Sequence, residues 1–155
     1  MVWQENGLHV ELTYDHLNIN ASMDKVRSSK AGAIVIFAGT TRDNFDGKSV
    51  KHLEYSSYIP MAISTLSRIA RSVSSKHGLT GISITHRLGT VPIGEESILI
   101  AVSAPHRQAG WRAGEEALEE TKEKAEIWKL EEFGGEDGAI WRANKEGSIG
   151  VPAPR

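Results

Sequence analysis

The residues of this sequence that could carry chemistry are mostly basic. They occur near the ends of predicted strands and helices, or close to glycine and proline. The set consists of Arg42, His86 with Arg87, His106 with Arg107, Lys122 and Lys129. Basic side chains at such positions can converge on one anion. Together they predict a binding site for a small phosphorylated ligand, whereas any one of them alone would more often be an ordinary surface cation.

The two His-Arg pairs differ in their surroundings. His106 and Arg107 follow a hydrophobic strand and open a predicted helix, so their N–H groups and side chains could face an anion at the helix N-terminus. The alternative is that His106 bonds to local backbone and Arg107 to a surface carboxylate. His86 and Arg87 lie in an alternating strand, which favours pairing with a carboxylate such as Glu95 over catalysis.

The two lysines also differ. Lys129 is flanked by a tryptophan and a leucine, which makes it the better candidate for a partly desolvated lysine with a lowered pKa. Lys122 lies in a helix rich in Glu and Lys, where an ion pair with Glu119 or Glu126 is the alternative interpretation. A predicted break near Ala125 separates the two lysines.

The composition excludes several classes of chemistry. The 155 residues contain no cysteine, so there are no thiolate nucleophiles, and any sulfur used in a reaction must come from another molecule. There is no Walker loop and no Gly-x-Gly-x-x-Gly, Gly-x-Ser-x-Gly or His-Glu-x-x-His motif. The six histidines are scattered along the chain, so no metal site is expected.

Charge and hydropathy restrict partners and location. A formal net charge of −2 offers no overall positive field to a polyanion, which disfavours general nucleic-acid binding. The longest apolar run, residues 33–38, is far shorter than the roughly 20 residues that a membrane-spanning helix needs. The first residues show neither a basic start nor an apolar block typical of a leader peptide, so a cytoplasmic location is expected.

A single α+β domain is predicted to position these residues. Period-2 alternation predicts strands, and apolar stripes at helical spacing predict helices. Strands are predicted at 8–13, 33–37, 50–58, 82–86, 97–103 and around 127–130, and helices at 20–26, 60–77 and from about 107. Residues 39–47 and 89–94 are predicted to be loop and turn.

Three further predictions concern the C-terminal third of the chain. In the last helix, Trp111, Leu118 and Thr121 share a face and are expected in the core. The glycine-rich segment 134–138 is a candidate mobile loop. The domain is predicted to span residues 1–147, and residues 148–155 are predicted to form a flexible C-terminal tail.

Five ordered segments of the chain form a recognisable set. They are 32–42, 53–62, His86-Arg87-Leu88-Gly89 with Gly94-Glu95, 102–107, and Lys122 with Ile127-Trp128-Lys129. Together they resemble the MoaE family, the large catalytic subunits of molybdopterin synthase. The resemblance covers roughly residues 8 to 146, and a set of this number and order is more specific than any single motif.

The resemblance implies a fold, partners and a reaction. It implies an α/β-hammerhead fold with a mixed or antiparallel sheet and flanking helices. It also implies a central homodimer with one small ubiquitin-like subunit at each end, which makes a heterotetramer. The small subunit's C-terminal Gly-Gly thiocarboxylate would deliver sulfur to cyclic pyranopterin monophosphate and build the dithiolene of molybdopterin. Because the sulfur arrives on the partner, no cofactor of the chain itself is implied.

The resemblance also assigns residues. It places Lys122 beside the incoming thiocarboxylate tail and Lys129 in the substrate pocket, so these two lysines are the catalytic candidates. Lys122 could polarise the thiocarboxylate and stabilise an oxyanion, and Lys129 could donate or accept a proton at the pterin carbons. The implied substrate-binding set is Arg42, His106, Arg107, Lys122, Lys129, Leu130 and Glu131.

Two alternatives remain open from the sequence. A non-catalytic dimeric module could keep the docking groove for a ubiquitin-like tail without transferring sulfur, although such a module would not need the basic cluster. A phosphate-ester hydrolase using His106 would lack an obviously placed second acid or base.

Overall fold

A computed structural model describes residues 1–134, 138–144 and 148–153 of the chain. The elements are β1 (Val2–Glu5), β2 (Leu8–Thr13), α1 (Ile19–Val26), β3 (Ala33–Thr40), β4 (Asn44–Phe45), β5 (Lys48–Ser57), α2 (Ile59–His77), β6 (Gly81–Arg87), β7 (Gly89–Pro92), β8 (Glu96–Ala104), α3 (Arg107–Lys124), β9 (Ile127–Phe133), β10 (Ala139–Ala143) and β11 (Val151–Pro152).

The first sheet is mixed. Its order is β1-β2-β6-β8-β3, with β2 and β6 parallel and the other neighbouring strands antiparallel. β8 is buried along almost its whole length, as a central strand covered on both faces should be. The predicted α+β class is confirmed.

Two long helices pack against this sheet and against each other. α2 lies on β2 and β6, and α3 lies on β8 and β3. As predicted, Pro60 stands in the first turn of α2, and Gly78 ends the helix in the left-handed conformation.

The predicted core face of α3 is partly wrong. Thr121 is buried, but the side chain of Trp111 is 65% exposed. The face that meets the sheet carries small residues, among them Gly110, where an added Cβ would lie 3.1 Å from a methyl carbon of Val35. The helix therefore approaches β3 too closely for an indole to fit between them.

The second sheet is antiparallel and runs β11-β10-β9-β5-β4, with β7 also paired to β5. The prediction of a turn at 89–94 is correct only for residues 93 and 94, because residues 89–92 form β7, in which Val91 pairs with Leu53. Long-range pairing with β5 decided this conformation. The predicted loop at 39–47 contains the end of β3 and a tight β4–β5 hairpin, whose Asp46 and Gly47 both have positive φ.

The C-terminal predictions are addressed only in part. Val151–Pro152 pair with β10, so this part of the segment predicted as a tail contributes a short strand. The domain boundary after residue 147 stays a prediction, and residues 135–137 of the candidate mobile loop lie outside the described residues. Within the part of the chain that is described, no helix is long and apolar enough to cross a membrane.

Candidate functional site

A cavity of about 510 Å³ opens between the two sheets and the end of α3. Four of the residues predicted for the site line it: Arg42, Lys122, Lys129 and Glu131. Arg42 follows the C-terminal end of β3, and Lys122 lies in the last turn of α3. Residues that are 80 positions apart in sequence therefore meet in one cavity.

Strand β9 supplies two of these side chains because successive residues of a strand face opposite sides. Lys129 and Glu131 are two residues apart and both line the cavity, whereas Leu130 between them is buried and does not line it. The predicted break near Ala125 is confirmed, since α3 ends at Lys124 and β9 begins at Ile127. The turn brings Lys122 and Lys129 to the same cavity from two different elements.

His106 and Arg107 do not join this cavity within one chain. Both are exposed at the N-terminal end of α3, where His106 is the N-cap residue without a side-chain capping bond. Arg107 and Lys122 are 15 residues apart on one helix, which corresponds to about 22 Å at 1.5 Å per residue. The cavity of a single chain therefore offers no support for a hydrolase that uses His106.

Lys129 has the environment predicted for it. Its pKa is lowered from the ordinary lysine value, mainly by burial, and Lys122, Arg142 and Arg42 lower it further by charge repulsion. The carboxylate of Glu131 acts in the opposite direction. A lysine with a lowered pKa can both donate and accept a proton closer to neutral pH.

Arg142 lines the same cavity and was missed by the sequence reasoning. It forms an ion pair with the buried Glu131. Its guanidinium carbon lies 4.5 Å from the centre of the Phe45 ring, and its Nη1 donates to the Ser148 carbonyl at 2.9 Å. The sequence offered one signal for Arg142, which is that it is a basic residue in an alternating segment after the glycine-rich loop. That signal does not predict the pairing of β10 with β9, which brings Arg142 to the cavity.

The pairing register concentrates positive charge at the cavity wall. Arg142 lies directly opposite Lys129 across the β9–β10 pair, an arrangement that is unfavourable for two like charges. Glu131, also on β9, offsets part of the repulsion. Among the lining residues that the structure describes, four are arginine or lysine and only Glu131 is acidic. This charge balance suits an anionic ligand.

His86 and Asn144 also line the cavity. Burial lowers the pKa of His86 to about 4, so its ring is neutral at physiological pH. Its Nδ1 lies 2.8 Å from the Arg87 carbonyl oxygen, and its Nε2 lies 3.3 Å from Asn144 Nδ2. The Tyr55 ring packs edge-on against it, with 4.9 Å between ring centroids.

The carboxylate pairing predicted for His86 and Arg87 is therefore half correct. Arg87 Nη1 donates to Glu95 Oε1 at 2.7 Å, as expected. His86 instead points into the cavity, because alternate residues at the end of β6 face opposite sides.

No group of three or more residues able to hold a metal ion occurs within 1–134, 138–144 and 148–153.

Comparison with known proteins identifies the family of this chain. The family model described as MoaE protein matches residues 12–124. A molybdopterin synthase catalytic subunit from Neurospora crassa is 65% identical over 147 residues, which are 95% of this chain and 71% of that protein. The corresponding subunit from Sclerotinia sclerotiorum is 64% identical over 146 residues, covering 94% and 74%.

Solved structures have the same fold. Molybdopterin synthase from Staphylococcus aureus is 36% identical with a TM-score of 0.79, covering 84% of this chain and 94% of that one. A complex of subunits 1 and 2 of the molybdopterin-converting factor from Helicobacter pylori contains a chain with a TM-score of 0.67 at 21% identity, covering 79% and 83%. The predicted hammerhead fold is confirmed, and the chain belongs to the MoaE family, the catalytic subunits of molybdopterin synthase.

Proposed function

We propose that the cavity binds cyclic pyranopterin monophosphate and that sulfur is transferred to it there from the C-terminal thiocarboxylate of a small ubiquitin-like subunit. The observation that carries this proposal is the convergence of Arg42, Lys122, Lys129 and Arg142 on one cavity. Such a charge excess suits a phosphorylated substrate and an anionic thiocarboxylate. The chain contains no cysteine, which agrees with sulfur that arrives on a partner.

In this proposal the two lysines have different tasks. Lys122 stands at the end of α3. After the thiocarboxylate sulfur has bonded to a pterin carbon, water attacks the carbonyl of the resulting thioester, and Lys122 stabilises the oxyanion that forms. Cleavage of the bond between the carbonyl carbon and sulfur leaves the sulfur on the pterin and a carboxylate on the small subunit. Lys129 exchanges a proton with the pterin carbons that receive sulfur, for which its lowered pKa is suited. The ion pair between Glu131 and Arg142 fixes the positions of these two charged groups in the cavity wall. The proposal assigns no cofactor or metal to the chain.

His106 and Arg107 enter the proposal through a second copy of the chain. They are exposed about 22 Å along α3 from Lys122, so they can recognise the same anion only if another protomer brings them to the cavity. Two features support a homodimer: Trp111, one turn after Arg107, is 65% exposed, and β3 lies at an edge of its sheet. With one small subunit for each protomer the assembly is a heterotetramer, proposed to act in the cytoplasm.

Reconstitution tests the proposed function. The purified chain is incubated with thiocarboxylated small subunit and cyclic pyranopterin monophosphate, and molybdopterin is assayed as its oxidised fluorescent derivative. Lys122→Ala and Lys129→Ala are each expected to lower the rate at least about 100-fold.

Lys124→Ala is the matched control for Lys122. Lys124 is in the same helical turn but pairs with Glu120 at 2.5 Å on the exposed side. Its replacement should leave the rate unchanged. A complex with the small subunit that yields no product would favour the non-catalytic docking module instead, and unchanged rates in both cavity-lysine variants would contradict the assigned roles.

A further inference from the structure

The His86–Asn144 pair is a buried polar feature of the cavity wall that the proposed sulfur transfer does not use. Both residues line the cavity together with the cationic side chains. His86 is 1% exposed, and Asn144 is 9% exposed at the end of β10. Buried polar side chains are retained in a fixed arrangement when each hydrogen bond determines the next one.

The backbone determines the tautomer of His86. The Arg87 carbonyl oxygen lies 2.8 Å from Nδ1, and a carbonyl can only accept a hydrogen bond, so Nδ1 carries the proton. The ring is neutral because it is fully buried. In a neutral imidazole protonated at Nδ1, the other nitrogen, Nε2, has a lone pair and accepts.

The tautomer in turn determines the orientation of the Asn144 amide. Nε2 of His86 accepts, so the side-chain group of Asn144 that lies 3.3 Å from it must be the donor, Nδ2. The amide carbonyl oxygen, Oδ1, is then directed away from the imidazole. The edge of Tyr55 against the His86 ring prevents the ring from turning and releasing this arrangement.

An amide oxygen of fixed orientation differs in its chemistry from the cations of this cavity. The cationic side chains around it, Arg42, Lys122, Lys129 and Arg142, are all donors when charged. The carboxylate of Glu131 is engaged by Arg142. The remaining side-chain acceptors of the described wall are the Asn44 amide and the hydroxyls of Thr40, Tyr55, Ser97 and Ser148. An acceptor in a cationic cavity distinguishes a ligand that carries N–H groups from a plain anion such as phosphate.

We propose that Asn144 Oδ1 accepts a hydrogen bond from a ring N–H or amino group of the heterocyclic substrate, and that His86 is the positioning residue that holds this amide in the accepting orientation. The inference rests on the proposed function, because a reduced pterin joined to a phosphate offers both N–H donors and an anion. The cations then bind the anionic end, and the His86–Asn144 pair selects the heterocycle.

Binding and kinetics of two variants test this inference in the assembled enzyme. Asn144→Ala is expected to raise KM for cyclic pyranopterin monophosphate about tenfold, which corresponds to about 1.4 kcal/mol, with kcat changed less than twofold. Inhibition by inorganic phosphate, the probe of the anionic end alone, should be unchanged. His86→Phe should raise KM similarly, whereas His86→Gln, whose amide oxygen can still accept from Asn144, should recover most of the affinity.

A readout independent of activity is the ¹⁵N NMR spectrum of the histidine side chains. It should show His86 neutral and protonated at Nδ1 at pH 7; a ring protonated at Nε2 would overturn the assignment. An Asn144→Ala enzyme with unchanged KM, or one that loses phosphate and pterin affinity equally, would also overturn it. These results concern the inference alone, whereas a wild-type enzyme that makes no molybdopterin under the same conditions would overturn the proposed function.

Discussion

The buried ion pair between Glu131 and Arg142 predicts a large effect of one substitution on stability. In Arg142→Met, the apolar side chain keeps much of the packing but leaves the carboxylate of Glu131, whose side chain is 2% exposed, without its partner. Removing one member of a buried pair typically costs about 3–5 kcal/mol, because an uncompensated charge remains in the interior. For a chain of this size that loss corresponds to a fall in Tm of about 6–20 °C.

The matched control is the same substitution at an exposed pair. Arg27 Nε lies 2.8 Å from Asp24 Oδ1, but the two side chains are 58% and 67% exposed. Exposed pairs contribute at most about 1 kcal/mol, so Arg27→Met should change Tm by only a few degrees. Differential scanning calorimetry and urea denaturation at pH 7 measure both variants.

A double variant separates the charge effect from lost packing. Combining Arg142→Met with Glu131→Gln removes the charge that was left unpaired, so most of the lost stability should return. If Arg142→Met is as stable as Arg27→Met, or if the double variant is no more stable than Arg142→Met alone, then the pair does not compensate a buried charge and the reasoning is refuted.

Three other predictions concern the cavity and α3. Burial lowers the pKa of Lys129, so its charged form opposes folding at neutral pH, and the free energy of unfolding should rise as pH increases toward the unfolded pKa of 10.5. Calorimetry at pH 7 should therefore find Lys129→Met more stable than wild type, although this variant loses synthase activity. The pKa of His86 is about 4 in the folded chain against 6.5 in the unfolded chain, which gives about 3 kcal/mol of stability that is present above pH 6.5 and lost as pH falls to about 4. In His86→Gln, the free energy of unfolding measured by urea denaturation should depend less on pH across this range. Gly110→Leu should lower the free energy of unfolding by about 1–3 kcal/mol through overpacking against Val35, whereas Trp111→Ala should leave the fold intact but weaken the proposed homodimer, as light scattering would show.

Local patterns were sufficient for most of the elements. The helix from Pro60 to Gly78 could be predicted because a proline in the first turn and a left-handed glycine after the last are local signals that act within a few residues. The continuous burial of β8 follows from its uninterrupted apolar and small residues. Failures occurred where partners distant in sequence decided the structure. Residues 89–92 became β7 only because β5 offers them an edge.

The sequence by itself determined the family, the elements and the type of chemistry, because ordered motifs, periodicity and residue types are properties of the chain read from end to end. It also identified Lys129 as the desolvated lysine from its neighbours alone. Only the tertiary structure decided which basic residues meet. It excluded His106 from the cavity of one chain and brought in Arg142 and Asn144 through the β9–β10 pairing. Convergence depends on which strands pair and in which register, and this leaves no local trace in the sequence.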